Sequence, residues 1–215
     1  MNRRTFKAAL FDLDGVVFDT EPQYSVFWGE QMRHYFPERP GLENVIKGQT
    51  LVQIYDKFFP GMKEEQERIT AGLDEFEGQM KFEYIAGFPS FIEDLRRNGV
   101  RTAVVTSSNK TKMENVYRSH REFKDLFDLV LTSEDFTKSK PDPECYLIGA
   151  AKFGLSPNEC FGFEDSFNGL KSVKASGMTV VGLATTNSPE AIREFSDVIL
   201  SDYVGLDYQR LLSLI

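Results

Sequence analysis

Residues Ala8-Ala9-Leu10-Phe11-Asp12-Leu13-Asp14-Gly15 set the architecture of this chain. The first four are all apolar rather than alternating with polar residues, which is typical of a strand covered on both faces, as in a parallel sheet. Two acids and a glycine follow at once. Because the carboxyl ends of the strands in an open parallel sheet border the ligand crevice, we expect both carboxylates there. An ordinary Asp-rich turn, in which Gly15 supplies backbone freedom, is the alternative.

Four later segments have the same continuously apolar character, at residues 100–106, 129–131, 160–163 and 179–183. Helix-length stretches lie between them. Three of these stretches end at Gly99, Gly154 and Gly177, and glycine suits the left-handed position after a helix. Strand and helix therefore alternate, which predicts an α/β fold with a doubly wound, mostly parallel sheet and right-handed crossovers.

One region, from about residue 20 to residue 84, breaks this alternation. Apolar and aromatic residues recur there at helical spacing over 24–35, 51–59 and 69–80, without a convincing strand. We therefore predict a helical cap at residues 19–84, inserted after the first strand. Residues 1–18 and 85–215 would form the α/β core.

Composition and charge exclude several classes of function. The net charge of -8 and the absence of clustered Lys and Arg argue against nucleic acid and anionic membrane surfaces as partners. No apolar run approaches the roughly 18 residues of a membrane span, and the run after Arg3 and Arg4 meets Asp12 too early for a signal peptide. Cys145 and Cys160 show no disulfide or metal-ligand pattern. We expect a cytoplasmic monomer.

A second pair of acids, Glu164 and Asp165, ends the apolar stretch 160–163. Each pair alone is compatible with a turn or a helix cap. In the predicted sheet, however, Asp12, Asp14, Glu164 and Asp165 converge on one crevice. Two such charges 4 Å apart repel by about 1 kcal/mol in water and about 4 kcal/mol at a protein-surface dielectric, so the group needs a cation. Oxygen ligands without His or Cys nearby favour Mg²⁺.

Two further polar segments follow strands of the predicted sheet. Thr106-Ser107-Ser108 precedes a helix that begins near Lys110, where hydroxyls and backbone N–H groups can receive a phosphate. An ordinary helix cap is the alternative. Lys140 precedes another helix and offers a cation, although a lone lysine is usually a solvated surface charge.

Four motifs in order resemble those of the haloacid dehalogenase superfamily, in the branch of β-phosphoglucomutase and the sugar phosphatases. They are Asp12-Leu13-Asp14-Gly15-Val16, Val104-Val105-Thr106-Ser107-Ser108-Asn109, Ser139-Lys140-Pro141-Asp142-Pro143 and Gly162-Phe163-Glu164-Asp165-Ser166. They extend over the whole predicted core, and the helical insert has the position of that family's cap. The resemblance implies a Rossmann-like core.

The resemblance also implies a role for each residue. Asp12 would be the nucleophile, and Asp14 the acid that protonates the leaving alcohol and then the base for water. Asp12, Asp165 and the backbone carbonyl of Asp14 would hold Mg²⁺, with Glu164 binding directly or through water. Thr106 and Lys140 would hold the phosphoryl oxygens. Ser107, Ser108 and Asn109 would complete the substrate loop.

The presence of Asp14 favours phosphoryl transfer over the other reactions of this superfamily. Dehalogenases and phosphonatases that the chain resembles lack an acid at that position, whereas transfer to and from oxygen needs a proton donor. We therefore expect a Mg²⁺-dependent phosphatase that acts on a small phosphorylated metabolite, such as a sugar phosphate, through an aspartyl-phosphate. A catalytically silent binding domain is the least favoured alternative, because four retained acids repel one another.

The isomerase β-phosphoglucomutase is the main alternative. Two departures weaken it: Tyr24 stands where the mutase has a histidine in its first cap helix, and the Lys-Asn pair after the second motif is reversed here as Asn109-Lys110. Substrate choice would depend on the cap, where the polar candidates are Glu21, Gln23, Lys47, Gln49 and Lys81. Lys47 and Gln49 are preferred among them, because residues 47–50 form a loop before a predicted helix. A residue of this kind is more often a solvated surface group, which is the alternative for each of the five.

Overall fold

The structure is a computed structural model that describes residues 6–47 and 49–215. The basic start of the chain, residues 1–5 of the predicted core, and Gly48 of the predicted cap loop lie outside the described residues. Within those two ranges, every helix is either too short or too polar to cross a lipid bilayer.

In the part of the chain that the structure describes, six parallel strands form one sheet in the order β3-β2-β1-β4-β5-β6. The strands are β1 Ala8–Phe11, β2 Arg101–Val105, β3 Leu129–Leu131, β4 Cys160–Glu164, β5 Thr179–Leu183 and β6 Val198–Leu200. The doubly wound parallel sheet is confirmed, and the five predicted strands agree with it to within one residue at each end. The sixth, β6, was not predicted.

The order of the strands places the two acid-bearing strands side by side. The chain winds outward from β1 through β2 to β3, and then returns to β4 on the other flank of β1. This reversal creates a crevice at the carboxyl ends of β1 and β4, where α/β proteins bind ligands. Phe11 pairs with Phe163 in the register of these strands, so Asp12 and Glu164 leave the sheet next to each other.

Four helices lie between β1 and the next core helix, in the region predicted to form the cap. They are α1 Glu21–Tyr35, α2 Leu42–Val45, α3 Leu51–Phe58 and α4 Lys63–Gln79. The short helix α2 was not predicted. Their apolar faces form a cluster of their own, which includes Trp28, Met32, Ile54, Phe59 and Ile69. The aromatic stripes of the sequence therefore serve packing within the cap.

The remaining helices cover both faces of the sheet. They are α5 Phe88–Arg97, α6 Lys110–Ser119, α7 Phe123–Leu126, α8 Glu144–Lys152, α9 Phe167–Ser176, α10 Pro189–Ile192 and α11 Tyr208–Ser213. Alternate residues of β1 enter different cores: Phe11 packs with α5, α6 and α11, whereas Leu10 packs with α8, α9 and α10. Because both faces are covered, the middles of the strands are apolar, as the sequence indicated, and polar residues such as Arg101 and Glu164 lie at strand ends.

The two connections between core and cap run together. Phe18 forms an isolated antiparallel bridge with Tyr84, and the N–H of Asp19 donates to the carbonyl of Glu83 at 2.8 Å. This pairing supports the division of the chain into a cap at 19–84 and a core on either side, which we retain as a proposal.

Candidate active site

A cavity of about 430 Å³ lies between the carboxyl edge of the sheet and the cap. The core contributes Asp12, Asp14, Thr106, Ser107, Ser108, Asn109, Lys140 and Asp165, among others. The cap contributes residues from α1, α2, α3 and α4 and the loops that join them. Its size lies within the range of small-molecule sites. The structure thus brings the core residues singled out in the sequence to one cavity, apart from Glu164, which lies beneath it.

Lys140 links Asp12 to Glu164 at the floor of the cavity. Its ammonium donates to Asp12 Oδ1 at 2.6 Å, to Glu164 Oε1 at 2.6 Å and to the carbonyl of Val105 at 3.0 Å. Burial lowers the pKa of Lys140, but the charges of Asp12 and Glu164 outweigh burial and raise it. This lysine is therefore a buried, fully charged group rather than a surface cation.

Asp12, Glu164 and Asp165 each offer a carboxylate oxygen, and the three oxygens lie within 4.8 Å of one another. Burial raises the pKa of Asp12 to about 7, an effect that Lys140 reduces and that the charges of Glu164 and Asp14 increase. Burial, followed by the charges of Glu21 and Glu164, also raises the pKa of Asp165 well above its ordinary range. These acids repel one another, and the positive charge of Lys140 does not fully compensate them.

Thr186 and Asn187, which follow β5, orient Asp165. The Thr186 hydroxyl donates to its carboxylate, and the Asn187 amide donates to its backbone carbonyl at 2.9 Å. Gly15 faces the same carboxylate with a positive φ of 72°, and a Cβ there would lie 2.1 Å from Asp165 Oδ2. The Asp-Gly sequence at residues 14–15 therefore needs glycine both for its backbone conformation and for space.

Glu164 already has partners for both of its oxygens. Oε1 accepts hydrogen bonds from Lys140 and Tyr146, and Oε2 accepts from the N–H of Asp165 and the hydroxyl of Ser166. An ionised carboxylate has about four acceptor positions, so these four contacts occupy them. Glu164 is suited to holding Lys140 in place.

Asp14 lies in the cavity but outside the group of three acids. Its carboxylate accepts from Lys112 Nζ at 2.6 and 2.5 Å, from Thr20 Oγ1 at 2.5 Å and from Ser108 Oγ at 3.1 Å. The expectation that all four carboxylates share one cation thus differs from the structure. Lys112 is buried and gives Asp14 a cation of its own, which removes the need to share one.

The residues that follow β2 form a compact polar loop along the cavity. Thr106 Oγ1 accepts from the N–H of Ser108 at 3.0 Å. The side chain of Asn109 caps α6 by accepting from the N–H of Lys112 at 2.8 Å. Ser107 and Ser108 line the cavity beside them. The cap of α6 and the predicted substrate loop are therefore the same structure, and the two interpretations of this segment are compatible.

The cap candidates divide into two groups. Glu21, Lys47 and Gln49 line the cavity, and Gln49 also donates to the carbonyl of Val45 at 2.6 Å. Gln23 and Lys81 are not among the described lining residues. Instead, the Gln23 amide donates to the carbonyl of Lys81 at 2.8 Å and accepts from its N–H at 3.0 Å, which makes a structural clamp.

Several residues of the site escaped the sequence analysis, and most of them, though not Thr20, have partners that are distant in sequence. Gln53 donates to the carbonyl of Lys140 at 3.0 Å and so joins cap to core. Tyr24, which the sequence indicated only as a departure from the mutase, donates to Glu77 Oε1 at 2.6 Å, with the Lys112 ammonium 4.7 Å from its ring centre. The site residues that the sequence did not indicate are Thr20, Gln53, Lys112, Tyr146, Thr186 and Asn187. For Lys112 the sequence did offer a signal: Asn109 is a typical helix N-cap, which places Lys112 in the first turn of α6 beside the predicted substrate loop.

The family model for haloacid dehalogenase-like hydrolases matches residues 9–183. Validoxylamine A 7′-phosphate phosphatase of Streptomyces hygroscopicus subsp. limoneus is 27% identical over 202 residues, which cover 92% of this chain and 94% of that protein. The phosphorylated carbohydrates phosphatase of Thermotoga maritima is 25% identical over 211 residues, with 90% and 93% covered. A HAD hydrolase of family IA, variant 3, from Entamoeba histolytica has the same fold, with a TM-score of 0.82 at 19% identity over 97% and 99% of the two chains. The chain therefore belongs to the haloacid dehalogenase-like hydrolase family, as an enzyme of its phosphatase branch.

Proposed function

We propose that the protein is a Mg²⁺-dependent phosphatase that hydrolyses a small phosphorylated metabolite, such as a sugar phosphate, through a phosphoryl group carried on Asp12. The observation that supports this most directly is the floor of the cavity. There the Asp12 carboxylate is held by Lys140, with oxygens of Glu164 and Asp165 within 4.8 Å of one of its own. The names of the curated phosphatases point to the same chemistry.

The donor set of this floor fits Mg²⁺. Its ligand atoms are carboxylate oxygens, and burial raises the pKa values of Asp12 and Asp165, so both need a nearby positive charge to ionise. Asp12, Asp165 and the backbone carbonyl of Asp14 would hold the ion directly. Glu164 would act through water, because its acceptor positions are filled. When bound, the ion supplies charge neutralisation for the phosphoryl oxygens.

The first step would transfer the phosphoryl group to the protein. A carboxylate oxygen of Asp12 attacks phosphorus and the ester P–O bond breaks. The leaving alcohol takes its proton from Asp14, whose carboxyl group can carry that proton only when its ion pair with Lys112 opens. In the second step Asp14 takes a proton from water, whose oxygen attacks the same phosphorus. The bond to Asp12 then breaks and inorganic phosphate leaves. Two steps of this kind separate a difficult displacement into easier ones.

The other predicted residues would bind rather than react. Thr106 would hold the phosphoryl oxygens, with Ser107, Ser108 and Asn109 along the same loop. Lys140 would steady the nucleophile and would reach a phosphoryl oxygen by exchanging one of its three present acceptors. Fixed donors of this kind stabilise the charge that develops in transfer. Lys47 and Gln49 would contact the leaving group from the cap side of the cavity.

The test is phosphate release from p-nitrophenyl phosphate and a panel of sugar phosphates, with Mg²⁺ and then with excess chelator. We expect turnover that requires the metal and that Asp12→Asn abolishes. Asp125→Asn, the same change at an exposed position outside the cavity, is the matched control. Near-native rates in Asp12→Asn would mean direct attack by water, and no metal-dependent release from any compound would favour a silent binding domain.

An assay on the same purified protein distinguishes a phosphatase from the isomerase. β-Glucose 1-phosphate is supplied with a trace of glucose 1,6-bisphosphate, and glucose 6-phosphate is followed together with inorganic phosphate. A phosphatase releases inorganic phosphate, whereas a mutase accumulates glucose 6-phosphate.

A further inference from the structure

The cap side of the cavity is acidic. Of the cavity-lining residues that the structure describes in the cap, four are carboxylates and one is a cation: Glu21, Glu43, Asp74, Glu77 and Lys47. The core side supplies mainly neutral polar groups around the reacting acids. A leaving group that extends from the phosphate site toward the cap therefore meets a wall with an excess of negative charge.

Two buried lysines offset this excess only in part: Lys112 lowers the pKa of Glu21 and of Glu77, but both lysines have closer carboxylate partners in the core. Lys140 is bound to Asp12 and Glu164, and Lys112 is bound to Asp14. Within the described lining, Lys47 is thus the cation without a carboxylate at ion-pair distance. One such cation cannot balance four carboxylates and also bind a second phosphate dianion.

Among the cap acids, Glu21 interacts most strongly with the proposed metal ligand Asp165. It begins α1, and its carboxylate accepts no hydrogen bond from the described residues. Burial raises its pKa to about 7, the charge of Asp14 adds to this, and Lys47 and Lys112 reduce it. Glu21 is in turn the largest electrostatic contributor to the raised pKa of Asp165. Carboxyl oxygens accept hydrogen bonds, and no described residue donates one to Glu21, so a ligand with hydroxyl groups can supply the donors that are lacking.

We propose that Glu21 is a specificity-determining residue, which selects monophosphates whose leaving group carries hydroxyl donors and, with the other cap acids, excludes compounds with a second phosphate. This inference rests on the proposed function and deepens it. A mutase cycle requires a bisphosphate to bind in this cavity with either phosphate toward Asp12. The charges of the cap wall oppose that intermediate, so the cavity is built for hydrolysis.

The experiment measures equilibrium binding, so that it does not depend on turnover. Three ligands are titrated by calorimetry into Asp12→Asn protein with Mg²⁺: glucose 6-phosphate, glucose 1,6-bisphosphate and phenyl phosphate. The first pair differs by one phosphate, and phenyl phosphate lacks hydroxyls. We expect glucose 6-phosphate to bind most tightly, with the bisphosphate weaker by about tenfold, which corresponds to about 1.4 kcal/mol.

The second variant assigns the effect to Glu21. Adding Glu21→Gln should reduce both preferences of glucose 6-phosphate, over the bisphosphate and over phenyl phosphate, by about tenfold. Glu30→Gln, the same change at an exposed position of α1 outside the lining, should leave both ratios unchanged. The inference is overturned if the bisphosphate binds as tightly as glucose 6-phosphate, if phenyl phosphate binds at least as tightly, or if Glu21→Gln changes neither ratio. Loss of metal-dependent turnover in the wild-type protein would instead overturn the proposed function.

Discussion

The ammonium of Lys112 contacts both carboxylate oxygens of Asp14, at 2.6 and 2.5 Å. Lys112 lies in the first turn of α6 and is almost fully buried, and Asp14 follows β1. The pair therefore joins two core segments at the point where the cap begins. Removing one member of such a buried pair leaves the other charge without compensation, which costs far more than the loss of a surface ion pair.

Asp14→Asn should lower the free energy of unfolding by about 2 kcal/mol, because the buried Lys112 ammonium loses its direct counter-charge and retains only the more distant charges of Glu21 and Glu77. Urea denaturation measures this. The double variant Asp14→Asn/Lys112→Met should recover most of the loss, since the apolar side chain leaves no buried charge.

The exposed ion pair between Lys138 and Asp142, at 3.5 Å, is the matched control for the comparison of the Asp14 and Lys112 variants. Lys138→Met should change stability by less than about 1 kcal/mol. If Asp14→Asn were as mild as this control, the Lys112 contact would contribute little to folding.

The contribution of Asp12 to stability should fall as the pH rises, which is opposite to the usual behaviour of an acid whose pKa is lowered by folding. Its pKa is raised by burial from 3.8 to about 7 in the folded protein, so the folded chain keeps a proton that the unfolded chain loses. The contribution of Asp12 to stability is therefore complete below about pH 4 and is lost as the pH rises to about 7. In chelator, the stability of wild type relative to Asp12→Asn should fall across this range.

Magnesium should counteract that loss, because it binds the ionised carboxylates. We expect Mg²⁺ to raise the melting temperature more at about pH 7.5 than at about pH 5. Thermal denaturation with and without chelator at both pH values measures the difference. Equal stabilisation at the two pH values would mean that the ion does not bind at Asp12.

Gln53 provides a test of the contact between cap and core. Its amide donates to the carbonyl of Lys140 at 3.0 Å, while its Oε1 accepts from the N–H of Thr50 and closes the capping box of α3. Gln53→Glu retains the acceptor and removes the donor. We expect KM to rise by up to about tenfold, since one hydrogen bond contributes about 0.5–1.5 kcal/mol.

Gln53→Ala is the companion variant, because it also removes the capping box. It should show the same change in KM together with a lower stability, by about 1 kcal/mol. An unaltered KM in Gln53→Glu would show that this contact does not influence substrate binding.

Thr186 should influence metal affinity without binding the metal. Its hydroxyl donates to the Asp165 carboxylate and so fixes the direction of a proposed ligand. Thr186→Val should weaken activation by Mg²⁺ by about tenfold, as expected for a residue that orients a ligand. Thr186→Ser retains the hydroxyl and should behave as wild type in the same Mg²⁺ titration of turnover. Equal Mg²⁺ dependence in the Val and Ser variants would exclude this role.

Much of the core could be predicted because its signal is local. A parallel strand covered on both faces is apolar along its whole length, and this identified β1, β2, β3, β4 and β5. The strand β6, Val198–Leu200, is as short and as half-buried as β3, but it follows the four-residue helix α10 rather than a helix-length stretch, so the alternation of strand and helix did not indicate it. Its place depends on pairing with β5, which a single short run cannot indicate.

The contacts within the site were less predictable, because they depend on where side chains meet. Asp12 and Lys140 are 128 positions apart in sequence, and Asp14 and Lys112 are 98 positions apart. A motif could assign Lys140, but the usual surface position of lysine concealed Lys112. Gln53 was invisible for a similar reason: its partner is set by how the cap rests on the core, and periodicity within a helix carries no such information.

The pairing of Phe11 with Phe163 couples the packing of the sheet to the placement of its acids. These rings stack with centres 4.3 Å apart, and the residues that follow them are Asp12 and Glu164. A slip of one position between the two strands would turn one ring to the opposite face and displace the acid beyond it. Substitutions that keep this interior well packed therefore also preserve the alignment of the two carboxylates. The packing of the sheet interior and the placement of the two carboxylates therefore cannot change independently of each other.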